Sequence, residues 1–274
     1  MTATLANLLN RPVPDMSSAR RIKASYRAYP LDVAAPRNDE PLVDIAQYGI
    51  AGQNYYSRPN GATGDPLPGV APTIFVRRSV ADKLAAINYE VQQSDELAEI
   101  LHGRVELYVD EGVRLLAVQR KLYDEVFPAL IRSQHPAWSE AQVLERRDQL
   151  SAKPSDDPNS PSPHLTGAAV DLKLRYAQDN LGFVPHVMVP MGGVHTTTGE
   201  ATNPDFFEHK KSLAKDDETA RRNRRAFYWI MRGALNNDDL SFAVNPTEWW
   251  HWSFGDQLWA QTTNAPQAFF SLPN

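Results

Sequence analysis

Cysteine is absent from this sequence of 274 residues. Its absence excludes disulfide scaffolds, thiolate zinc sites and cysteine nucleophiles, so any metal must be held by His, Asp and Glu side chains. No segment reaches the roughly 20 apolar residues that a membrane-spanning helix needs, and no basic region precedes the short apolar stretch near the start. We therefore expect a cytoplasmic protein that does not interact with membranes.

An excess of positive charge is also missing, since 28 lysines and arginines stand against 33 aspartates and glutamates, a net charge of -5. Such a chain has no extended basic surface to hold a nucleic acid, and we expect a small or weakly charged partner. The basic run from Arg221 to Arg225 is interpreted as the solvated face of a helix. The oligomeric state stays open.

Hydrophobic residues make up 42% of the chain, enough for a sizeable core. Their spacing predicts helices over 78–102, 115–131, 140–150 and 218–235, and strands over 41–48, 105–112, 167–176 and 242–254. Loops rich in Pro, Gly, Ser or Thr separate several of these segments. Because there is no regular βαβ alternation, no internal repeat and no credible linker, we predict a single α+β domain.

The first candidate site segment is SPHLTGAAVD, residues 162–171. His164 emerges from a loop, Gly167 permits a tight turn, and Asp171 lies inside an otherwise apolar strand. A buried carboxylate without a partner is costly, and a divalent cation is among the few groups that offset the cost. For this segment alone, a hydrogen bond between His164 and Asp171, or an aspartate that faces solvent, is the more common explanation.

The second segment is EWWHW, residues 248–252, in which Glu248 and His251 stand among three tryptophans. An aromatic core strand with polar tips is the simpler interpretation of this segment alone. Zinc hydrolysis, however, needs a third protein ligand and a carboxylate that takes a proton from the bound water. Together the two segments predict a zinc site of two histidines and one carboxylate: His164, Asp171 and His251, with Glu248 as the base.

The third segment is EGVR, residues 111–114, at the junction of a predicted strand and helix. Arg114 could stabilise the oxyanion of a tetrahedral intermediate, because a guanidinium keeps its charge and donates in a fixed fork. Spacing alone favours an ordinary surface arginine at this position.

These segments, in this order, resemble the zinc D-alanyl-D-alanine dipeptidases, a group within the zinc D,D-peptidases that includes the vancomycin-resistance dipeptidase. The matching segments are EGVR at 111–114, SPHLTGAAVDL at 162–172, MGG at 191–193, PDFFE at 204–208, NRRAFYWIMRGA at 223–234 and EWWHW at 248–252. The resemblance implies a zinc D,D-peptidase (Hedgehog-type) fold, with a central, mostly antiparallel sheet and helices around it. We assign residues 1–40 to an N-terminal arm and 41–274 to the peptidase domain.

The resemblance also implies residue roles. One zinc ion per chain would be held by His164, Asp171 and His251; Glu248 would be the general base and acid, and Arg114 would stabilise the transition state. The residues implied in substrate binding are Ser162 and Trp249, which would line a small pocket, and Asp205, which would hold the free amino group of a dipeptide.

Two departures from the family pattern affect the substrate pocket. Leu115 follows Arg114 where the family usually has proline, and residues 193–203 look like an insertion that could move Asp205. Glu200, which lies inside this insertion, is the alternative to Asp205 as the residue that would hold the amino group. His195, in the same loop region, is expected to be solvated or locally bonded.

The implied activity is hydrolysis of D-alanyl-D-alanine or a related D-amino-acid dipeptide. Recycling of cell-wall peptidoglycan, antibiotic resistance and specialised metabolism all stay open as its role. A D,D-carboxypeptidase that acts on longer peptidoglycan peptides would use the same zinc site, but such enzymes are usually exported. A non-catalytic zinc-binding module of the same fold is a further alternative, although a purely structural site has no need of Glu248.

Overall fold

The described residues, 10–177, 187–234 and 241–273 of a computed structural model, form two β-sheets. Their strands are β1 (Leu42–Asp44), β2 (Ala51–Gly52), β3 (Phe75–Arg77), β4 (Val105–Glu111), β5 (Ala169–Tyr176), β6 (Ala243–Asn245) and β7 (Glu248–Ser253). β1 pairs with β3, and the larger sheet has the order β2-β4-β5-β7-β6. Within it β2 and β4 are parallel, and the other pairs are antiparallel. The predicted single α+β domain with a mostly antiparallel central sheet is confirmed.

Helices surround the large sheet. They are α1 (Ser17–Lys23), α2 (Arg78–Gln93), α3 (Asp95–Leu101), α4 (Leu116–Lys121), α5 (Phe127–Gln134), α6 (Glu140–Leu150), α7 (Phe206–His209), α8 (Lys215–Met231) and α9 (Gln257–Thr263). The main core lies between the sheet and the apolar faces of α2 and α8, which bury Leu84, Ile87, Phe227 and Ile230 among others. None of the described helices is long and apolar enough to cross a membrane.

The prediction of a single helix over 78–102 is wrong, because Ser94 divides this segment into α2 and α3. Ser94 has an extended backbone, with φ -77° and ψ 105°, and its hydroxyl accepts a hydrogen bond from the Leu97 N–H at 3.0 Å. A serine in this position caps a new helix. Periodicity does not detect such a break, since the apolar spacing continues across it.

The helix predicted over 115–131 continues further, to Gln134, and contains a π-helical turn at Leu122–Val126 between α4 and α5. Pro128 follows this turn. Proline has no N–H, and its ring would collide with the carbonyl four residues earlier in a regular helix. The wide turn therefore accommodates Pro128 within the helix.

The extended segment predicted over 242–254 is the hairpin β6–β7, and the helix predicted over 140–150 is α6. The strand predicted over 41–48 is limited to β1, because the Asp44 carboxylate accepts a hydrogen bond from the Ala46 N–H at 2.9 Å and begins a 3-10 turn. The basic helix predicted over 218–235 is α8, and the prediction for Leu235 lies outside the described residues.

The N-terminal segment from residue 10 to residue 40 packs against the C-terminal part of the chain. Leu31 forms a β-bridge with Ala268, and the Gln257 side chain donates to the Tyr29 carbonyl at 2.7 Å. Further along, the Ser271 N–H donates to the Asn38 side chain at 2.8 Å. The segment thus lies on the rest of the domain, and the boundary proposed at residue 40 stays a prediction.

Replacement of Gly112 by alanine is expected to destabilise the protein. A Cβ atom there would lie 2.4 Å from the Phe75 carbonyl oxygen and 2.8 Å from Val76 Cγ1, so the backbone would have to move. We expect urea denaturation to show a loss of about 1–3 kcal/mol in the free energy of unfolding. Gly199→Ala is the matched control, because a Cβ atom at Gly199 meets nothing within 4 Å. Equal stability of the two variants would contradict the close approach at Gly112.

Candidate metal centre and active site

Three neighbouring strands carry one row of polar side chains. The register pairs Glu111 of β4 with Asp171 of β5, and Asp171 with His251 of β7. Residues that pair across antiparallel strands have neighbouring side chains. His164 reaches the same place from a 3-10 turn, Pro163–Thr166, which ends at Gly167 with φ +74°. Glycine suits this left-handed position, where a Cβ atom would also lie 2.6 Å from Leu42 Cδ2.

The three predicted ligands converge on one point. His164 Nε2 lies 3.1 Å from His251 Nδ1 and 3.5 Å from Asp171 Oδ1, and His251 Nδ1 lies 3.1 Å from Asp171 Oδ1. All three residues are buried. Ligand atoms of a tetrahedral zinc ion lie roughly 3.3 Å apart, so these spacings match the size of such a site.

The carboxylate of Asp171 gives a second, independent indication of a zinc site. Its buried Oδ1 has no hydrogen-bond partner among the described residues. An ionised oxygen that lacks a donor and faces two imidazoles is costly unless a cation is bound. The donor set of two imidazoles and one carboxylate therefore fits a zinc ion.

The ring of His164 is oriented by the backbone. Its Nδ1 lies 2.9 Å from the Gly112 carbonyl oxygen. Because a carbonyl only accepts, Nδ1 must carry the hydrogen, and the lone pair of Nε2 is left to face the metal site. On the other histidine, His251 Nε2 lies 3.4 Å from Ser253 Oγ, while Nδ1 points to the site.

Glu248 lies at the start of β7, three residues before His251, and is buried. Its Oε2 accepts a hydrogen bond from Asn245 Nδ2 at 2.7 Å. Burial raises the pKa of Glu248 to about 7, against the opposing effect of the Lys23 ammonium. A carboxyl group with this pKa can both accept and return a proton near neutral pH.

Arg114 is buried, unlike the surface arginine that spacing alone favours. Its Nε donates to Glu111 Oε1 at 2.8 Å, its Nη2 donates to Glu111 Oε2, and its Nη1 donates to Gln119 Oε1 at 2.7 Å. Arg114 Nη2 also lies 3.8 Å from Asp171 Oδ2. The guanidinium is thus held rigidly next to the metal site, with its charge balanced by Glu111.

A cavity of about 850 Å³ opens in front of these groups. Its lining includes all five residues predicted as ligands or catalytic groups, namely His164, Asp171, His251, Glu248 and Arg114. The site residues that the sequence identified in three separate segments therefore face one common space.

The three residues predicted to bind substrate do not line this cavity. Ser162 Oγ donates to the Lys153 carbonyl at 3.0 Å, and the Trp249 ring packs against Phe227. The Asp205 carboxylate accepts from Arg20 Nη1 at 2.6 Å and from the Met16 N–H at 2.7 Å. Glu200, the rival of Asp205, does line the cavity. The substrate-binding roles of Ser162, Trp249 and Asp205 stay predictions.

His195 lines the cavity, and its side chain is only 10% exposed, contrary to the expectation of a solvated or locally bonded histidine. Its ring contacts Tyr55 and Trp250, with centroid distances of 5.1 Å and 4.9 Å, and its Nε2 lies 3.7 Å from Asp110 Oδ2. Burial lowers the pKa of His195. No local pattern identifies it, because its neighbours come from distant parts of the chain.

Other lining residues that sequence analysis did not select include Lys23, Tyr56 and Trp250. Trp250 follows Trp249 within the EWWHW segment, so that segment could have identified it. Lys23 lies in the N-terminal segment, for which the sequence offered no functional pattern.

No protein-family model matches the chain. Among curated proteins, a D-alanyl-D-alanine dipeptidase of Synechocystis sp. is 29% identical over 247 aligned residues, which represent 85% of this chain and 90% of the relative. This similarity confirms the resemblance to the D-alanyl-D-alanine dipeptidases that the sequence motifs predicted.

We expect the protein, purified without chelators, to hold one zinc ion per chain through its two histidines and one aspartate. His164→Ala, Asp171→Asn and His251→Ala should each lose stoichiometric zinc in elemental analysis, because each removes one of three ligands. His135→Ala should keep the metal, since the His135 ring stacks on Trp138 at 3.8 Å and belongs to no described ligand group. If wild-type protein that is produced in zinc-supplemented medium contains no zinc, the predicted zinc site is excluded.

Glu248 is expected to make the stability of the metal-free protein depend on pH. Its folded-state pKa of about 7 lies above the ordinary 4.5, so the stabilisation from proton binding is complete below about pH 4.5 and is lost as the pH rises through 7. Glu248→Gln cannot ionise and should exceed the wild type above pH 7 by on the order of 1–3 kcal/mol. Urea unfolding of chelator-treated protein at several pH values measures this difference.

The difference in the free energy of unfolding between Glu248→Gln and the wild type should shrink as the pH falls towards 4.5, the ordinary pKa of the carboxyl. Glu99→Gln, on the exposed surface of α3, is the control and should show no comparable change with pH. A stability gain of Glu248→Gln that stays constant with pH would contradict a raised pKa.

Proposed function

We propose that this protein is a zinc-dependent dipeptidase that hydrolyses D-alanyl-D-alanine or a related D-amino-acid dipeptide. The observation that carries the proposal is the convergence of two imidazoles, a carboxylate without a hydrogen-bond donor, a buried glutamate and a buried arginine on one cavity. The curated relative named D-alanyl-D-alanine dipeptidase supports the choice of substrate.

A catalytic site is favoured over a structural zinc site. Structural sites use four protein ligands, whereas catalytic sites use three and leave a position open. Among the described residues the ligand group has three members, and a cavity lies beside it. Glu248 faces this cavity without belonging to the ligand group, as a proton-transfer residue must.

Bound at His164, Asp171 and His251, zinc would polarise the scissile carbonyl and lower the pKa of a water molecule to about 7. Glu248 would take the proton of the attacking water, and its pKa of about 7 suits this transfer at neutral pH. It would then return the proton to the leaving amine. Arg114 would donate to the developing oxyanion from a fixed position, since Glu111 and Gln119 hold its guanidinium.

A D,D-carboxypeptidase is the second candidate, and one observation favours it. The cavity of about 850 Å³ lies in the upper part of the range for drug-sized ligands, and two alanines fill only a small part of it. The same catalytic residues would serve either substrate. A cytoplasmic location and a role in cell-wall peptide metabolism are parts of the dipeptidase proposal and stay predictions.

The decisive test measures hydrolysis of D,D, L,D and L,L dipeptides, with a longer peptide ending in D-Ala-D-Ala, by the wild type and Glu248→Gln. We expect the wild type to prefer a D,D dipeptide, and Glu248→Gln to keep its zinc while kcat falls by about 10²–10⁴-fold. Glu99→Gln serves as the fully active control, because Glu99 is exposed outside the cavity.

The remaining outcomes separate the alternatives. Preference for the longer peptide would support the carboxypeptidase. No cleavage of any substrate by zinc-loaded protein would favour a non-catalytic module. Full activity of Glu248→Gln would end the assignment of Glu248 as the base, whatever the substrate.

A further inference from the structure

The N-terminal helix α1 lies beside the hairpin turn that carries Glu248. Arg20 Nη1 donates to the Pro246 carbonyl at 3.3 Å, and Lys23 Nζ donates to Thr247 Oγ1 at 2.6 Å. The helix is fixed in place by Asp205, which accepts hydrogen bonds from Arg20 and from the Met16 N–H. Arg20 and Lys23 both line the cavity, so α1 forms part of its wall.

Most arginines of the cavity wall are committed to the protein itself. Arg20 is paired with Asp205, and Arg114 with Glu111. Arg146 donates to the carbonyls of Thr198 and Gly199 and to two side chains. Arg20 and Arg146 therefore hold the wall together, and the remaining donors of Arg114 are assigned to the oxyanion.

Lys23 differs from these arginines. Its half-buried ammonium donates to Thr247 Oγ1 and to the Gln149 carbonyl, which uses two of its three N–H bonds. Among the described residues no carboxylate lies within ion-pair distance of it. Thr247 immediately precedes Glu248, so Lys23 lies on the Glu248 side of the cavity. Lys23, which lines the cavity, thus keeps one N–H bond beyond these two hydrogen bonds, and its charge has no carboxylate within ion-pair distance among the described residues.

The proposed reaction brings a negative charge to the same side. Glu248 returns its proton to the leaving nitrogen, which must therefore come within hydrogen-bond reach of its carboxylate. In a dipeptide the carboxyl carbon is two covalent bonds, about 2.5 Å, from that nitrogen. The C-terminal carboxylate must consequently lie close to Glu248, where like charges repel unless a cation stands between them.

We propose that Lys23 binds the C-terminal carboxylate of the substrate, and that α1 is thereby a part of the substrate site. This inference rests on the proposed dipeptidase function and adds a specificity residue to it. Lys23 selects substrates with a free C-terminal carboxylate. Arg27, the third cation of this segment in the cavity wall beside Arg20 and Lys23, donates to Tyr26, Lys153 and Ser162 and supports the wall near Ser162.

The test compares D-Ala-D-Ala with its C-terminal amide, which keeps the scissile bond and lacks the carboxylate. Steady-state kinetics are measured for the wild type, Lys23→Met, Lys23→Arg and Arg21→Met. Arg21→Met is the matched control, because Arg21 is an exposed cation of the same helix outside the cavity wall. Binding of both ligands to Glu248→Gln, with and without Lys23→Met, is measured by calorimetry.

We expect the wild type and Arg21→Met to prefer the free acid over the amide by about 10- to 100-fold, the range for a hydrogen bond to a charged group. Lys23→Met should lose most of this preference through a higher KM for the acid, while its rate on the amide changes little. Lys23→Arg keeps the positive charge and should retain part of the preference. Retention by Lys23→Arg would show that the loss in Lys23→Met comes from the missing charge and not from misfolding.

The outcomes separate this inference from the proposed function. If Lys23→Met slows both substrates equally, or keeps the preference in kinetics and in calorimetry, Lys23 does not bind the carboxylate although the dipeptidase assignment stands. If the zinc-loaded wild type cleaves neither substrate and Glu248→Gln binds neither, the proposed function is wrong and the inference falls with it.

Discussion

The register of three adjacent strands is the constraint on which the whole candidate site depends. Asp171 lies between Glu111 and His251 because β5 pairs with β4 on one side and with β7 on the other. A shift of one residue in either pairing would turn Asp171 to the opposite face of the sheet. The apolar residues of β5, Val170, Leu172 and Leu174, are fully buried and fix this register, so the core and the site are specified by the same strand.

The site concentrates charge in a buried place, where each ion is costly unless it has a partner. Glu111 balances Arg114, Asp205 balances Arg20, and Lys173 and Arg58 balance Asp110. Asp171 Oδ1, by contrast, has no hydrogen-bond donor among the described residues, and the ion pairs of this part of the chain include none from Lys23 to a carboxylate. Both residues line the cavity. The cavity thus contains two incompletely paired groups at the place where a metal ion and a charged substrate are proposed to bind.

Local patterns predicted the positions of most helices and strands, and they failed where a side chain or a ring interrupts a regular pattern. Ser94 divides a continuous apolar periodicity by capping a new helix, and Pro128 is accommodated by a π-helical turn instead of ending its helix. In both cases the apolar spacing, which reports the buried face, is unaffected by the break. Backbone irregularity of this kind depends on hydrogen bonds that periodicity does not encode.

The sequence by itself determined the candidate ligands and base, because His164 and Asp171, and likewise Glu248 and His251, lie close together in short segments with recognisable chemistry. Only the tertiary structure decided which other residues share their cavity. It buried Arg114 against Glu111, placed His195 beside Asp110, and brought Lys23 to Thr247 across a separation of 224 residues. The physical reason is that residue type and spacing are local, whereas burial and charge pairing are set by segments that meet only in the folded chain.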